Sequence, residues 1–209
     1  MASVALKIVI ATDAWKPQIN GVVTTLSHVE DYLRAQGCEV RVIHPGDFHT
    51  FALPNYKEIC VAWNVWKFAE IFESFKPDGV HIATEGPIGL AARRYLTKRG
   101  LPFTTSLHTK FPEYVNQRIG MPVSWGYAFL RWFHEPSKAT LVTTESMRDE
   151  LTARGLKDLV VWTRGVDTQL FCPEQGDKSR EGSSQPVMVY VGRVAIEKNI
   201  EAFLDLPIE

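Results

Sequence analysis

The chain has 209 residues, of which 45% are hydrophobic and 22% charged, and its formal net charge is −1. This length suffices for one well-packed domain and part of a second. The balanced charge gives no electrostatic case for a nucleic acid partner, and none is expected. Three widely spaced cysteines lack the paired spacing of metal ligands, which indicates reduced thiols in the cytoplasm.

Apolar, β-rich runs alternate with segments of helical periodicity along most of the chain. Leu6–Ala11 predicts a strand buried on both faces, too short and too interrupted by Lys7 to cross a membrane. Further strands are predicted at Val40–Ile43, Gly79–Ala83, Phe103–Leu107, Thr140–Thr143 and Leu159–Trp162. Helices are predicted over residues 22–33, Val65–Phe75, Pro87–Arg99, Phe111–His134 and Glu145–Arg154, the last with Ser146 and Asp149 at capping-box spacing. The alternation predicts a Rossmann-like, doubly wound α/β domain with a parallel sheet.

The composition changes after Cys172. Residues 173–186 (PEQGDKSREGSSQP) are polar and lack apolar periodicity, which is typical of a linker. Val187–Val191 then predicts an apolar strand, and a helix is predicted from Glu197. A lone strand and helix cannot bury a core, so they are expected to open a truncated second Rossmann-like domain. The expected organisation is an N-terminal domain over 1–172, a linker over 173–186 and the start of a C-terminal domain over 187–209.

Ligands of an open parallel sheet bind beyond the carboxyl ends of its strands, so the loops that follow the strands are the candidates. The first such loop (PQINGVV) places Gly21 where a helix begins, and the N–H groups and dipole at such a point favour an anion. Asn20-Gly21 is equally typical of a simple turn. The fingerprint G-x-G-x-x-G is absent after this strand, which argues against a nicotinamide or flavin enzyme.

Two later loops offer polar side chains at the same edge of the predicted sheet. Glu85 and Gly86 precede a helix, where Glu85 either binds sugar hydroxyls or only complements the helix dipole, the simpler interpretation. His108 follows a strand and can donate to a sugar hydroxyl or a phosphate. A lone histidine is more often structural, but its place at a strand's carboxyl end favours the functional role.

The segment VGRVAIEKN places Arg193 and Lys198 between a predicted strand and a helix. A guanidinium and an ammonium both suit a diphosphate, and the glycine before Arg193 favours that role over a pair of surface cations.

Aromatic residues crowd the segment between residues 111 and 133, where Arg118 and Arg131 also lie. They indicate either an amphipathic element that faces an acceptor or a membrane, or helices that pack on the sheet or on a partner domain. We favour packing, since Trp and Phe at helical spacing usually belong to a core. The aromatic residues are Phe111, Tyr114, Trp125, Tyr127, Phe129, Trp132 and Phe133.

Six segments together resemble family 4 of the retaining glycosyltransferases, which adopt the two-domain GT-B fold. They are PQINGVVTTL, VHIATEGPIG, SLHTKFPEYV, LVTTESMRDEL, RGVDTQLFCP and YVGRVAIEKNIEAFL, in the family's order. The most specific is RGVD-x-x-x-F-x-P followed by a linker and VGR-x-x-x-EKN. Within the family the sequence is most similar to bacterial α-mannosyltransferases and sulfolipid-forming glycosyltransferases, which act on lipid acceptors.

This resemblance implies transfer of a hexose from a UDP- or GDP-sugar to an acceptor hydroxyl, with retention of configuration and without an obligatory metal or other cofactor. It implies that Gly21, Arg193 and Lys198 bind the donor diphosphate and that His108, the catalytic candidate, lies by the transferred sugar. The candidates for acceptor or sugar binding are Asp13, Asn20, Glu85, Gly86 and Thr109. A lipid acceptor would bring the protein to the inner face of the membrane as a peripheral component.

The family's C-terminal domain normally continues well beyond the point where this sequence ends, and it carries the nucleotide pocket and an acidic pair. We therefore expect little or no transferase activity from the 209 residues alone. Two other classes stay open. A nucleotide-sugar 2-epimerase shares the GT-B architecture, and a truncated, non-catalytic binding module would use half of the cleft.

Overall fold

The computed structural model describes residues 5–53, 56–108, 112–113, 116, 120–172, 188–192 and 199–206. The chain divides into two compact units, residues 1–164 and 165–209. The first unit holds nearly all of the regular structure.

Six parallel strands form the sheet of the first unit, in the order β2-β1-β5-β6-β7-β8. Chain connections leave β1 and β5 in opposite directions, so the boundary between these two neighbours is the topological switch point of the sheet. The strands are β1 Lys7–Ala11, β2 Glu39–Ile43, β5 Gly79–Ile82, β6 Thr104–Ser106, β7 Thr140–Val142 and β8 Leu159–Val161. The predicted doubly wound α/β fold is confirmed.

Helices connect these strands, as the alternation in the sequence predicts. Their bounds in the first unit are α1 Gly21–Ala35, α2 Phe68–Phe75, α3 Pro87–Arg99, α4 Val123–His134 and α5 Glu145–Ala153. The segment before α2 differs from the prediction, because Val65–Lys67 forms a short 3₁₀ helix rather than the first turn of an α-helix. None of the described helices is long and apolar enough to cross a bilayer.

Successive side chains of β1 are buried on opposite faces of the sheet, as expected of a strand covered on both faces. Val9 and Ala11 belong to the cluster that packs α2 and α3 on one face of the sheet. Ile10 points to the other face, where it packs with Leu26 of α1. Two helical layers therefore enclose the sheet, and the polar loops are left at its ends.

An antiparallel pair of strands, β3 Thr50–Leu53 and β4 Tyr56–Ala62, is the element that the sequence analysis missed. It forms a separate two-stranded sheet between β2 and α2. Its strands lack a clear run of alternating apolar and polar residues, and Phe51 is half exposed. Without that alternation, neither strand gives a signal of period two.

The start of α5 corrects a second prediction. Thr144, and not Ser146, is the N-cap, and its hydroxyl accepts a hydrogen bond from the Met147 N–H at 3.1 Å. Ser146 lies inside the first turn, so it and Asp149 do not form the predicted capping box. The helix begins one residue before the residue chosen from the sequence as its cap.

The aromatic segment before β7 is partly core and partly surface. Tyr127 and Phe133 of α4 are buried, as the packing interpretation predicts, but Trp125 is 68% exposed. Trp132 is half exposed, with the Arg93 guanidinium carbon 3.8 Å from its ring centroid. Phe111, Tyr114 and Arg118 lie outside the residues whose side chains the structure describes.

The second unit contains one described helix, α6, at Ile200–Leu204. Its predicted start at Glu197 lies outside the described residues. Residues 188–191 have no regular secondary structure where a strand was predicted, and Val191 is 90% exposed. A strand gains its hydrogen bonds from a neighbour, and the described part of this unit contains no neighbouring strand. The predicted domain limits remain a prediction.

Candidate functional site

Polar side chains from four loops lie at the carboxyl edge of the sheet. Asp13 follows β1, Glu85 follows β5, His108 follows β6 and Arg164 follows β8. The first two flank the switch point between β1 and β5, where open parallel sheets bind their ligands. Parallel strands end at the same edge, and for that reason loops distant in sequence become neighbours in space.

Asp13 caps a helix from another part of the chain. Its Oδ1 accepts a hydrogen bond from the Ile88 N–H at 2.8 Å, and its Oδ2 accepts from the Gly89 N–H at 3.3 Å and from the Thr84 hydroxyl at 2.8 Å. Burial raises the pKa of the Asp13 carboxyl, while these hydrogen bonds oppose the rise. The carboxylate thus satisfies N–H groups at the start of α3, which lacks a side-chain cap of its own.

Gly86, the backbone N-cap of α3, lies directly against this carboxylate. A Cβ atom on Gly86 would come within 2.6 Å of Asp13 Oδ2. Such a separation is far below normal contact, so the position admits only glycine while Asp13 keeps its place. The two residues form one unit that joins the loops after β1 and β5.

The start of α1 brings Gly21 to the same edge. The Asn20 side-chain oxygen accepts hydrogen bonds from the Val22 and Val23 N–H groups, each at 3.0 Å, which makes Asn20 the N-cap. Gly21, the first residue of the helix, lies beside Arg164: a Cβ on Gly21 would be 3.4 Å from Arg164 Nη1. A cation therefore stands next to a helix N-terminus, an arrangement that favours an anion.

His108 is held on both ring nitrogens. Arg164 Nη2 donates to His108 Nδ1 at 3.0 Å, and the same nitrogen is 3.4 Å from the His108 carbonyl oxygen. His108 Nε2 is 2.8 Å from the Ser106 hydroxyl. Burial, together with the charge of Arg164, lowers the pKa of His108 to about 4, so the ring is neutral at neutral pH.

A second histidine lies behind Ser106. His81 Nε2 is 3.1 Å from the Ser106 hydroxyl, and His81 Nδ1 is 2.9 Å from the Thr104 hydroxyl. Burial is the main cause that lowers the pKa of His81 to about 4, with His108 as the second cause. A hydrogen-bonded row therefore runs from Arg164 at the surface through His108 and Ser106 to His81.

Glu85 is supported by another buried histidine. His134, at the end of α4, is 3% exposed, and its Nε2 lies 3.4 Å from Glu85 Oε1. Its Nδ1 is 2.9 Å from the Thr105 hydroxyl, which in turn is 2.9 Å from the Thr140 hydroxyl. The Glu85 carboxylate, one-fifth exposed, therefore lies close to the end of a polar row that crosses the sheet.

Residues 19–170 match the family model described as Glycosyltransferase Family 4, which is well over half of the chain. The chain belongs to Glycosyltransferase Family 4.

The chain is similar to two mannosyltransferases and to one glycolipid synthase. It is 25% identical to a GDP-mannose-dependent alpha-mannosyltransferase of Mycobacterium tuberculosis, over 96% of this chain and 59% of the relative. It is 23% identical to the enzyme of that description from Corynebacterium glutamicum, over 96% and 54%. An alpha-monoglucosyldiacylglycerol synthase of Acholeplasma laidlawii is 30% identical over 53% of this chain and 32% of the relative. The chain thus spans between half and two-thirds of the length of the mannosyltransferases that it matches.

Most of the site residues predicted from the sequence lie in the described loops at the carboxyl edge of the sheet. Gly21 and His108 come together through Arg164. Asp13 and Gly86 join the neighbouring loops, Glu85 rests on His134, and Asn20 is tied into the cap of α1. Arg193, Lys198 and Thr109 lie outside the described residues, so their roles stay predictions.

No role was predicted from the sequence for Arg164, Ser106, His81 or His134. Arg164 falls in the segment RGVD that supports the resemblance to Glycosyltransferase Family 4, but no local pattern gave it a role. Ser106 lies in β6 and His81 in β5. Within a strand, the position of a residue indicates only the face of the sheet to which its side chain points, and not its partner in the next strand. The parallel register pairs His81 of β5 with Thr104 of β6, and Ser106, two residues further along β6, points to the same face, so His81 and Ser106 become neighbours.

Proposed function

We propose that this chain is the N-terminal, acceptor-side part of a retaining hexosyltransferase that takes its sugar from a UDP- or GDP-hexose. The observation that carries the proposal is the meeting of Arg164, His108 and the N-terminus of α1 at the carboxyl edge of the sheet. A cation beside a helix N-terminus suits a diphosphate, and a neutral imidazole next to it suits a sugar hydroxyl. Family membership supports the same chemistry.

In the proposed reaction, the bond between the anomeric carbon and the diphosphate oxygen breaks while the acceptor oxygen bonds to the same face of that carbon. The acceptor hydroxyl gives its proton to the departing diphosphate oxygen, on which negative charge builds up as the bond breaks. Arg193 and Lys198 are the proposed partners of this charge from the second domain, and Gly21 allows the diphosphate to approach α1 closely. No metal is needed when cations already neutralise the leaving group.

A lipid with a free hydroxyl is the proposed acceptor. One of the relatives is named alpha-monoglucosyldiacylglycerol synthase, and the product in that name is a glycolipid. The exposed face of α4 supports contact with a membrane, since Trp125 is 68% and Trp132 48% exposed and Arg93 lies over the latter ring. Amphipathic rings beside cations suit the interface of an anionic bilayer. The proposed location is therefore the cytoplasmic face of a membrane, as a peripheral protein.

Donor binding is testable with the 209-residue chain itself. Titration with GDP-mannose and UDP-glucose, followed by ¹H–¹⁵N spectra, is expected to shift the amide signals of Gly21 and His108. Because the proposed second-domain cations act without a complete domain, we expect weak binding, with a dissociation constant of about 1 mM or higher. Arg164→Met should weaken the shifts, while Arg148→Met, at an exposed position of α5, is the matched control. Unchanged site signals at about 10 mM of both donors would contradict the proposal.

Turnover is a separate measurement. We expect no measurable sugar transfer from the 209 residues alone. Micromolar donor affinity with turnover by the 209-residue chain would show that the second domain is not required.

Membrane contact is tested by co-sedimentation with vesicles. We expect binding to vesicles that contain anionic lipid at low salt, and less binding for Trp125→Gln than for Trp63→Gln, an exposed tryptophan elsewhere. Absence of binding to anionic vesicles removes the membrane contact and leaves the donor site unaffected.

A further inference from the structure

The hydrogen bond between Arg164 and His108 fixes the state of the imidazole. A guanidinium carries only donors and stays protonated at any pH at which the protein is folded. Arg164 Nη2 lies 3.0 Å from His108 Nδ1, so Nδ1 must accept. An imidazolium, or the neutral ring with its proton on Nδ1, would place two donors against each other. Both of these states are therefore disfavoured.

The other ring nitrogen must then carry the proton. His108 Nε2 lies 2.8 Å from the Ser106 oxygen, so the Nε2–H donates to Ser106. The Ser106 hydroxyl passes its own hydrogen either to His81 Nε2 at 3.1 Å or to the Ala83 carbonyl at 3.3 Å. In either arrangement the Ser106 oxygen can accept the hydrogen bond from His108 Nε2–H. Each donor from Arg164 to Ser106 therefore has an acceptor.

We infer that Arg164 and Ser106 are positioning residues that hold His108 as the neutral Nε2–H tautomer, with Nδ1 as a hydrogen-bond acceptor at the exposed end of the row. The single lone pair of Nδ1 is taken by Arg164, so a hydroxyl of the donor sugar can donate to this atom only in exchange for the guanidinium. This last step rests on the proposed function. The tautomer itself does not depend on it.

This assignment changes the chemistry that the sequence predicts for His108. A ring held in this state cannot give a proton to the leaving diphosphate at Nδ1, so it contributes recognition rather than acid catalysis. Among the residues that the structure describes, the charged and titratable groups that face the ring are Arg164 from the loop after β8 and His81 from β5. Neither favours a positive charge on His108, and its pKa is accordingly lowered to about 4.

The test is a long-range ¹H–¹⁵N correlation spectrum of the 209-residue chain labelled with ¹⁵N-histidine, with the His108 signals assigned by their loss in His108→Gln. At pH 7 we expect the Nδ1 signal at the unprotonated end of the imidazole range and the Nε2 signal at the protonated end. Acidification should leave both signals in place until the pH approaches about 4. A protonated Nδ1, a cationic ring or an averaged pair of signals in the wild type would overturn the inference.

Variants separate positioning from general support of the fold. Arg164→Met should move the His108 Nδ1 signal toward the protonated end and raise the pH at which the ring titrates, whereas Arg164→Lys should preserve the wild-type pattern. Ser106→Ala should move the two nitrogen signals toward each other. Arg148→Met, which removes an exposed arginine in α5, is the control and should change nothing. Unaltered His108 signals in folded Arg164→Met would also overturn the inference.

The same spectra distinguish the two proposals. If GDP-mannose and UDP-glucose fail to bind while the Nε2–H tautomer and its dependence on Arg164 are observed, the proposed donor site is contradicted and the positioning of His108 stands. If donors bind but His108 is protonated on Nδ1, the positioning is wrong and the donor site stands.

Discussion

Single residues at the carboxyl edge are constrained by contacts that their types alone do not reveal. Gly86 lies where any side chain would meet the Asp13 carboxylate, and that carboxylate holds the N–H groups of Ile88 and Gly89. The sequence presented Asp13 and Gly86 as candidates for acceptor or sugar binding. Their contacts show that both residues also stabilise the start of α3. An activity assay alone would not distinguish a loss of this stabilisation from a loss of ligand binding.

Gly86→Ala is expected to reduce the free energy of unfolding by about 1–3 kcal/mol, because the new Cβ displaces the Asp13 carboxylate from the start of α3. Urea unfolding followed by circular dichroism measures it. Gly79→Ala is the control, since a Cβ at Gly79 meets no atom within 4 Å and its φ is not positive. Equal stabilities of the two variants would show that the Asp13 contact is not restrictive.

The histidine row makes stability depend on pH. The pKa of His81 is about 4 in the folded chain and about 6.5 when unfolded, so between these values the unfolded chain binds a proton that the folded chain does not. The stabilisation is complete above the unfolded pKa and is lost as the pH falls toward 4. Between pH 8 and pH 5, His81 alone should remove about 2 kcal/mol.

Urea unfolding at these two pH values measures this loss. His81→Gln should show a smaller loss than the wild type, and His28→Gln, at an exposed position of α1, is the control. A His81→Gln variant with the full wild-type loss would contradict the assignment. His108 shares the direction of the shift, so part of the pH dependence should remain in His81→Gln.

At the scale of elements, helices begin by different devices. Asn20 caps α1 and Thr144 caps α5 from the adjacent position in the chain, whereas α3 is capped by Asp13 from 75 residues away. A local cap leaves a trace in the sequence, since Asn and Thr are preferred at that position. A distant cap leaves none, because nothing near α3 in the sequence points to Asp13.

The cap of α1 provides a test of whether Asn20 acts through the helix or through a ligand. Asn20→Ala should cost about 1 kcal/mol of stability, and Asn20→Ser should restore most of it, because a hydroxyl also accepts from the first-turn N–H groups. If capping is the role of Asn20, donor-induced shifts at Gly21 should recover in the serine variant as well. Recovery of stability without recovery of the shifts would instead support direct contact with the ligand.

The elements themselves were predictable to different degrees. The buried strands and the helices between them followed from apolar runs and helical spacing, since both patterns are local. The hairpin β3–β4 was not predicted, because its two strands lack a clear alternation of apolar and polar residues. The strand expected at Val187–Val191 was predicted from apolar composition alone, and its residues 188–191 have no regular structure.

At the scale of the whole molecule, the predicted boundary can be tested by proteolysis. The linker expected at residues 173–186 contains Lys178 and Arg180, and its polar composition predicts ready access for a protease. Brief trypsin treatment should first release a fragment that ends at one of these residues, identified by mass spectrometry. The double variant Lys178→Gln and Arg180→Gln should delay that release. A first cut within residues 5–164 would contradict the predicted boundary.

The sequence by itself determined the α/β class, the alternation of parallel strands with helices along the chain, and the family. It also determined the edge of the sheet at which Gly21 and His108 lie. These follow from periodicity and from segments that each span a few residues. Only the tertiary structure decided that Arg164 reaches His108 across 56 residues and that Asp13 caps α3. Such pairs depend on which loops the sheet order brings together, and no local property of either residue encodes its partner.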